Sequence, residues 1–410
     1  MTDAANKAAN ASAEGLRVLF FGHDCTESTV IKRARSLMAQ GIALTGFMFR
    51  REKLNRGFAP PWPNVELGVT ADRSYARRLL ALARALPVLA RHRGRLRRAD
   101  AIYARNIDMC LLALASRLIA GRRIPIVYEV LDVHRLFTAP GAAGAVLRWC
   151  ERRMLARVDL LVVSSGGYVE RYFRPVQRYL GPWFLLENKV RPGKDGLPAP
   201  DADRQPAPGG RWRIGWFGSL RCEESLALLA SIARTLPDRV EIVLRGGWPL
   251  AVGRDGMERL LAAHPNMRHG GEYRNPDDLA ALYGGVDFYW GLDFHEKGAN
   301  SDWLLPNRLY EGGLFGAVAI AARGTETGRR VEAEGLGWAF EAPYDVSVAR
   351  FLETLRVEDY RACRGTVLAV PRGRFVETDD AARLCALIGR MAAAGSAEPL
   401  GRKGWSEKTG

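Results

Sequence analysis

The sequence predicts an α/β protein built from two doubly wound domains. Its 410 residues exceed what one hydrophobic core usually organises. Short apolar runs alternate with helical segments of about a dozen residues, which is typical of parallel sheets covered by helices on both faces. This alternation stops at residues 191–210 and then starts again. We therefore expect two such sheets, one on each side of a linker.

The first series of strands opens at "LRVLFFG", an apolar run ending in glycine, as buried parallel strands often do. A segment with helical spacing, residues 29–40, follows it. The predicted strands of the first half are residues 16–22, 42–49, 101–105, 124–130 and 159–165.

The second series follows a stretch that contains five prolines and four glycines in twenty residues and that cannot form a core. The predicted strands of the second half are residues 212–218, 240–246, 287–292, 317–322 and 337–342. We expect a disordered leader at 1–15, a first domain at 16–190, a linker at 191–210, a second domain at 211–355, helices at 356–394 that could cross back to the first domain, and a mobile tail at 395–410.

The composition limits the class of protein. No run of 18 apolar residues predicts a membrane span, and the polar first 15 residues lack the apolar core of a signal peptide. Six cysteines are scattered without CxxC spacing, so zinc is not indicated and a reducing cytosol fits best.

The net charge of +15 is carried by the first half of the chain. Residues 1–190 hold 31 Lys and Arg against 15 Asp and Glu, whereas residues 191–410 hold 29 against 30. Such one-sided charge predicts a polyanionic partner, either nucleic acid or an anionic membrane surface.

Several motifs resemble one known family. "LYEGGLFGAVAIA", "ERRMLARVDLLVVSS", "LLENKV" and "WRIGWFGSL" resemble GT-B glycosyltransferases, most of all glycosyltransferase family 4. More narrowly, "FFGHDCTESTVIKRARSL", "YARNIDM", "YEVLDVHR" and "WLLPNRLYEGG" resemble bacterial exopolysaccharide glucosyltransferases of the succinoglycan type. The resemblance implies the GT-B fold, in which two Rossmann-like domains face each other across a cleft. It also implies that the second domain binds a nucleotide sugar and the first domain an acceptor.

The resemblance makes Glu311 the carboxylate that accepts both ribose hydroxyls of the donor. Pro306 favours a helix start there, and Asn307 lies one turn before Glu311 on the same face. Because this carboxylate would face a ligand, we expect it to matter little for stability.

The donor pyrophosphate needs positive charge and backbone N–H groups around it. The resemblance implies that it is bound without a metal ion. The family carries an arginine just after the glycine of the turn at Gly218 and a lysine a few residues later, but this sequence has Ser219 and Glu224. Arginines elsewhere could replace that charge. The candidates for nucleotide-sugar binding are Gly218, Ser219, Arg221, Arg245, Asn307, Arg308 and Glu311.

The donor sugar is less well defined by the sequence. The family pattern E-x7-E places a glutamate eight residues before Glu311, where this chain has Trp303. Asp293, Asn300 or Asp302 could compensate, and Trp303 itself could line the cleft. The departure leaves open both the identity of the sugar and whether the chain is catalytically active.

Polar residues that follow predicted strands of the first half are the catalytic candidates. His23 and Asp24 follow the first strand, and Asp132 and His134 follow a later one. In a transfer with retention, the leaving phosphate can take the acceptor's proton, so the protein mainly supplies positioning and charge.

The stretch at residues 73–98 contains nine arginines. Helical spacing places five apolar side chains on about one face, and Pro87 predicts a kink or a break. Those side chains are Tyr75, Leu79, Leu82, Leu86 and Leu89. This helix could pack on the first domain or lie on anionic lipid, whereas few aromatic residues are present to stack on bases. The membrane-contact candidates are Arg91, Arg93, Arg95, Arg97 and Arg98.

The sequence thus predicts a glycosyltransferase that moves a sugar, with UDP-glucose as the first expectation for the donor, to a lipid-linked saccharide in surface polysaccharide synthesis. We expect retention, no cofactor, no metal requirement, no nucleic-acid partner, and a peripheral location on the cytoplasmic face of the inner membrane. Two alternatives stay open: a GT-B enzyme of other chemistry such as epimerisation, and a non-catalytic basic scaffold that binds nucleotide sugar, membrane or nucleic acid.

Overall fold

The structure is a computed structural model that describes residues 14–51, 57–70, 75–133, 135–193, 196–206, 211–248 and 252–395. The chain forms two compact units. The first unit combines Met1–Leu186 with Asp379–Gly410, and the second unit is Glu187–Thr378. The predicted leader and almost all of the predicted tail lie outside the described residues.

The first unit contains a sheet of seven parallel strands in the order β3-β2-β1-β4-β5-β6-β7. The strands are β1 Arg17–Gly22, β2 Ala43–Arg50, β3 Asn64–Val69, β4 Ala101–Arg105, β5 Ile126–Val130, β6 Leu160–Val163 and β7 Trp183–Leu185. Every residue of β4, β5 and β6 is buried, as expected for parallel strands covered on both faces.

Helices cover this sheet, and the last one comes from the end of the chain. The helices are α1 Ser28–Met38, α2 Tyr75–Arg91, α3 Arg93–Arg97, α4 Ile107–Ala120, α5 Arg135–Thr138, α6 Ala142–Leu155 and α7 Gly166–Tyr168, which continues into a π-helical turn at Val169–Phe173; α16 is Asp380–Gly395. Helix α16 buries Leu384 and Ile388 in the same apolar cluster as Val30 and Leu37 of α1. Helices α2, α3 and α6 all contact α4.

The second unit contains six parallel strands in the order β10-β9-β8-β11-β12-β13. The strands are β8 Trp212–Phe217, β9 Val240–Arg245, β10 Met267–His269, β11 Phe288–Trp290, β12 Val318–Ala322 and β13 Gly337–Phe340. The helices are α8 Glu223–Thr235, α9 Gly253–Ala263, α10 Leu279–Gly284, α11 Asn300–Trp303, α12 Asn307–Leu314, α13 Glu326–Glu334, α14 Tyr344–Thr354 and α15 Val357–Ala369, followed by a 3₁₀ turn at Arg372–Arg374.

The described part of the linker and helix α15 both belong to the second unit. Arg364 on α15 donates hydrogen bonds to the carbonyl groups of Asp201 and Ala202, and Arg204 pairs with the buried carboxylate of Asp287 at 2.7 Å. The expectation for residues 356–394 therefore needs correction, because α15 packs on α12, β12 and β13 and only α16 packs with the first unit.

Three strands were not predicted, and one predicted break falls elsewhere. Strand β3 has polar and exposed positions, while β7 and β10 have three residues each, too short for a periodic signal. Helix α2 runs through Pro87, and the break comes at His92. Among the described residues, no helix is both long and apolar enough to cross a membrane.

Candidate active site

Strand β8 marks the point where the strand order of the second sheet reverses. The chain proceeds from β8 to β9 and β10 on one side, and β11, β12 and β13 lie on the other. Ligands of doubly wound sheets bind outside the carboxyl ends of the strands at such a switch point. The loops after β8 and β11 are tied together there, because Cys222 Sγ accepts hydrogen bonds from the backbone N–H groups of Ser225 and Phe294, both over 3.3 Å.

Two glycines bring the backbone close together at this edge. Gly218 after β8 has φ +114°, and Gly246 after β9 has φ +142°. A Cβ atom on Gly246 would lie 2.0 Å from the carbonyl oxygen of Gly218, so a side chain cannot fit there. The two loops can approach this closely only because Gly246 lacks a side chain.

Tyr273, which the sequence analysis missed, is the residue around which the predicted donor-site groups converge. Burial, with the charge of Glu311 adding to it, raises the pKa of Tyr273 to about 12, while Arg308 and Arg245 act in the opposite direction. Its hydroxyl oxygen also lies 3.9 Å from where a Cβ on Gly218 would be. The charges of Arg245, Arg308 and Glu311 thus act on the tyrosine whose hydroxyl group lies near Gly218.

Glu311 is buried in this neighbourhood, with 4% of its surface exposed. Its Oε1 accepts a hydrogen bond from Asn275 Nδ2, and its Oε2 accepts one from the Tyr283 hydroxyl, both over 2.8 Å. This burial argues against the expectation that Glu311 matters little for stability, because the fully buried hydroxyl of Tyr283 depends on it for a hydrogen bond.

The candidate arginines differ in how they are engaged. Arg245 donates to the carbonyl oxygens of Gly271 at 3.0 Å and Glu272 at 2.9 Å, which holds the loop after β10. Arg221 is exposed and Arg308 half-buried, and within the described part of the chain neither has an ion pair. Ser219 and Asn307 are both exposed.

The four donor-sugar candidates lie in the segment between β11 and α12, where Asp293 belongs to the loop and the other three to α11, and two of them stabilise the segment itself. Asp293 Oδ1 accepts hydrogen bonds from the His295 backbone N–H at 2.9 Å and from Ser301 Oγ at 3.3 Å. Asp302 Oδ2 accepts from the Gly298 backbone N–H at 3.1 Å. Asn300 is buried and Trp303 half-buried.

A lysine of the same loop faces the position where the family carries a basic residue. Lys297 Nζ lies 3.5 Å from Glu224 Oε1 and 5.3 Å from the centre of the Phe294 ring. Glu224 is the glutamate that departs from the family pattern. No sequence pattern indicates this pairing, because 73 residues separate the two side chains.

The first sheet has its own switch point between β1 and β4. His23 and Asp24 follow β1 and are both buried. Asp24 Oδ1 accepts hydrogen bonds from the backbone N–H and hydroxyl of Thr26, at 2.9 and 2.8 Å. Asp132, after β5, is exposed, and His134 lies outside the described residues.

The basic helices of the first unit leave apolar and positive side chains exposed together. The predicted apolar face of α2 is split, because Leu89 is fully buried whereas Leu79 and Leu86 are 66% and 42% exposed. The five candidate arginines at residues 91–98 are all exposed, and within the described residues none of them forms an ion pair. In the same residues, no group of three or more His, Cys, Asp or Glu side chains could hold a metal ion.

Comparison with known proteins agrees with this architecture. Residues 26–178 match the model of the glycosyl transferase 4-like domain. The chain is 42% identical over 349 residues to the succinoglycan biosynthesis protein ExoL of Rhizobium meliloti (strain 1021), which covers 84% of this chain and 86% of that protein. Its fold is similar to that of sucrose-phosphate synthase from Thermosynechococcus elongatus, with a TM-score of 0.68, 14% identity, and coverage of 92% of this chain and 100% of the other. Anabaena HepE in complex with UDP and glucose gives a TM-score of 0.58, 14% identity, and coverage of 93% and 99%.

Two parallel-sheet units and these relatives define a glycosyltransferase of the GT-B fold. Within that class, the chain belongs to the family of the succinoglycan biosynthesis protein ExoL, and its residues 26–178 match the glycosyl transferase 4-like domain.

Proposed function

We propose that the protein transfers a sugar from a nucleotide sugar to a lipid-linked saccharide during exopolysaccharide synthesis. The loop after β10 carries this proposal on the donor side, because Arg245 donates to its carbonyl groups, its Asn275 donates to Glu311, and its Tyr273 hydroxyl lies near Gly218. The exopolysaccharide pathway is supported by the 42% identity to a succinoglycan biosynthesis protein across most of both chains.

In the proposed donor complex, Glu311 accepts hydrogen bonds from the ribose hydroxyls. Its burial favours this role, because a carboxylate forms stronger charge-assisted hydrogen bonds where water is excluded. Tyr283 and Asn275 hold the carboxylate in one orientation, so little conformational freedom is lost when the ribose binds.

The diphosphate lies against positive charge in this proposal. Arg245 and Arg308 set two guanidinium groups against the single carboxylate of Glu311 around Tyr273. Arg221 and the backbone N–H of Ser219 extend that positive field along the loop after β8. These groups stabilise the charge that develops on the leaving phosphate without a metal ion. With retention, that phosphate takes the proton of the attacking hydroxyl.

UDP-glucose is the first donor to test, because the structurally similar HepE was crystallised in complex with UDP-glucose. The segment that contains Asp293, Asn300, Asp302 and Trp303 follows β11 at the same edge of the sheet. It is therefore the segment that we expect to contact the sugar.

The acceptor side of the proposal places the first unit on the inner membrane surface. Leu79, Leu80 and Leu86 are exposed on α2, and the arginines at residues 91–98 follow directly. Exposed leucines beside arginines bind anionic lipid through apolar insertion and charge attraction together. An enzyme bound to this surface needs to search for its lipid-linked acceptor only within the plane of the membrane.

The experiment is a transfer assay with a panel of UDP-, GDP- and ADP-sugars. Lipid extracted from the producing bacterium, with the gene deleted so that the acceptor accumulates, serves as the acceptor. We expect labelled sugar to enter the lipid fraction with one donor. Donor turnover without labelled lipid would favour other nucleotide-sugar chemistry, and the lack of any turnover would contradict the proposed enzyme.

A further inference from the structure

Asn106 has a backbone conformation that non-glycine residues rarely adopt. It directly follows β4 at the switch point of the first sheet, with φ 72° and ψ 160°. L-residues other than glycine avoid this region, so the surrounding structure must hold the residue there at a cost in folding free energy. Its backbone N–H donates to the Glu129 carbonyl at 3.1 Å, which is part of that constraint.

The side chain of Asn106 does not perform the usual task of its position. Asn106 is the N-cap of α4, where an asparagine side chain commonly accepts a hydrogen bond from the first helical turn. No such bond forms. Instead its amide nitrogen lies 3.2 Å from His23 Nδ1. The strained backbone therefore directs the amide at the histidine and not at its own helix.

His23 links this amide to a carboxylate. Because an amide N–H can only donate, Nδ1 accepts and the ring proton of a neutral His23 is on Nε2. That nitrogen pairs with Glu27 Oε2. Glu27 is the N-cap of α1, and its side chain also makes no capping bond. Two helix starts thus turn their polar side chains toward one histidine.

The Glu27 carboxylate is fixed and negatively charged. Thr29 Oγ1 donates to its Oε1 at 2.8 Å, and Arg105 Nη1 donates to Thr29 Oγ1 at 3.2 Å. The interactions with His23 and Thr29 outweigh burial and lower the pKa of Glu27 to about 2. Its Oε2 is buried, yet 27% of the side chain stays exposed. Since a carboxylate oxygen can accept two hydrogen bonds, this group has capacity left for a ligand.

We propose that Glu27, His23 and Asn106 form a subsite for a hydroxyl group of the acceptor saccharide. Glu27 accepts the hydrogen bond from that hydroxyl, while His23 and Asn106 are positioning residues that fix its orientation. This inference rests on the proposed transferase function and adds the residues that recognise the acceptor. Sugar hydroxyls suit such a group, because an oriented carboxylate accepts from them without having to reorganise.

The test uses Asn106→Gly, which accommodates the backbone conformation without strain and removes the amide. Glu27→Gln keeps the shape of that side chain and removes its charge. Arg178→Gly is the matched control, because Arg178 is exposed and is the other non-glycine residue with positive φ (55°) in the described chain. Transfer from UDP-glucose to the lipid extract of the deletion strain is measured over a range of extract and of donor, together with the melting temperature.

We expect Asn106→Gly and Glu27→Gln to lower kcat/KM for the acceptor about tenfold and to leave the KM for the donor unchanged. Asn106→Gly should melt at the wild-type temperature or above it, and Arg178→Gly should transfer like the wild type. Unchanged acceptor kinetics in Asn106→Gly, or an equal loss in Arg178→Gly, would overturn this inference but leave the proposed transferase function intact. If the wild type transfers no sugar from any donor of the panel, the proposed function fails and the inference with it.

Discussion

The hydroxyl of Tyr283 donates a hydrogen bond to Glu311 Oε2 over 2.8 Å, inside the second unit. Tyr283 is fully buried, and the charge of Glu311 adds to burial in raising the pKa of this tyrosine well above its ordinary value. The carboxylate proposed to bind ribose is thus part of the protein core. Binding and stability should respond together when Glu311 is changed.

Glu311→Ala should weaken binding of the donor and also destabilise the second unit. We expect a loss of one to two orders of magnitude in affinity, because charge-assisted hydrogen bonds to ribose contribute about 1.5–3 kcal/mol each. Leaving the buried hydroxyl of Tyr283 unpaired should cost about 1–3 kcal/mol of unfolding free energy. Calorimetric titration with UDP-glucose and urea unfolding measure the two effects.

Tyr283→Phe is the matched control for that experiment. It removes one hydrogen bond to the carboxylate but leaves the charge in place, so affinity should fall far less than in Glu311→Ala. Full affinity for the nucleotide sugar in a folded Glu311→Ala protein would show that Glu311 is purely structural.

Arg308→Gln should weaken donor binding through the diphosphate. Arg308 is half-buried, its charge acts to lower the pKa of Tyr273, and within the described residues no ion pair neutralises it. We expect about a tenfold loss of affinity for UDP-glucose and almost none for uridine, which lacks phosphate. Arg254→Gln is the control, since that arginine is exposed on α9 and pairs with Glu258. Equal losses for both ligands would place Arg308 away from the diphosphate.

Replacing the five arginines at residues 91–98 with glutamine should release the protein from anionic vesicles. Each basic residue near such a surface contributes about 1 kcal/mol, so the partition coefficient should fall by about three to four orders of magnitude. Sedimentation with phosphatidylglycerol vesicles at low and high salt measures it.

The charge-matched control for this membrane experiment changes five exposed arginines of the second unit. They are Arg254, Arg259, Arg268, Arg274 and Arg356. This control should keep full binding. Similar losses in both quintuple variants would mean that overall charge, and not this surface, attracts the lipid.

Glu151 should make the first unit less stable as the pH rises. The side chain is buried on α6 and accepts hydrogen bonds from Tyr172 and Gln177. Burial raises its pKa from an ordinary 4.5 to about 7. Because the folded-state pKa is the higher one, its contribution is fully present below pH 4.5 and is lost as the pH rises through 7.

The free energy of unfolding of the first unit should fall by about 2–3 kcal/mol between pH 5 and pH 8 because of this group. Glu151→Gln has no such titration, so wild type and variant should diverge over this range. Hydrogen exchange of peptides from the first unit, at both pH values, reports the opening free energy. Parallel behaviour of the two proteins would refute the shifted titration.

Sequence patterns predicted the long, apolar strands and missed the short ones. Strands such as β1 and β12 carry continuous apolar runs, whereas β7 and β10 have only three residues and depend on their neighbours in the sheet. Helix α15 was expected to be able to cross back to the first domain, but Arg364 anchors it to the carbonyl groups of the linker. Neither the three-residue strands nor the anchoring of α15 produces a periodic signal in the sequence.

In the candidate site, too, features with a local sequence motif were predicted and features that depend on distant residues were missed. The glycine turn and the helix of Glu311 have local motifs, and the sequence identified both. Tyr273 and Lys297 became visible only in three dimensions, because their partners are distant along the chain. Burial of Glu311 was also missed, since its hydrogen-bond donors come from α10 and the loop before it.

The most direct test of the proposed function is sugar transfer by the wild-type protein in excess chelator. Labelled UDP-glucose, and then the other nucleotide sugars, are incubated with the lipid extract of the deletion strain and with EDTA. We expect label in the lipid fraction at the rate seen without chelator, because arginines and backbone N–H groups stabilise the leaving diphosphate. Transfer that disappears in EDTA and returns with magnesium or manganese would contradict the metal-free mechanism, and the absence of transfer under both conditions would contradict the proposed function.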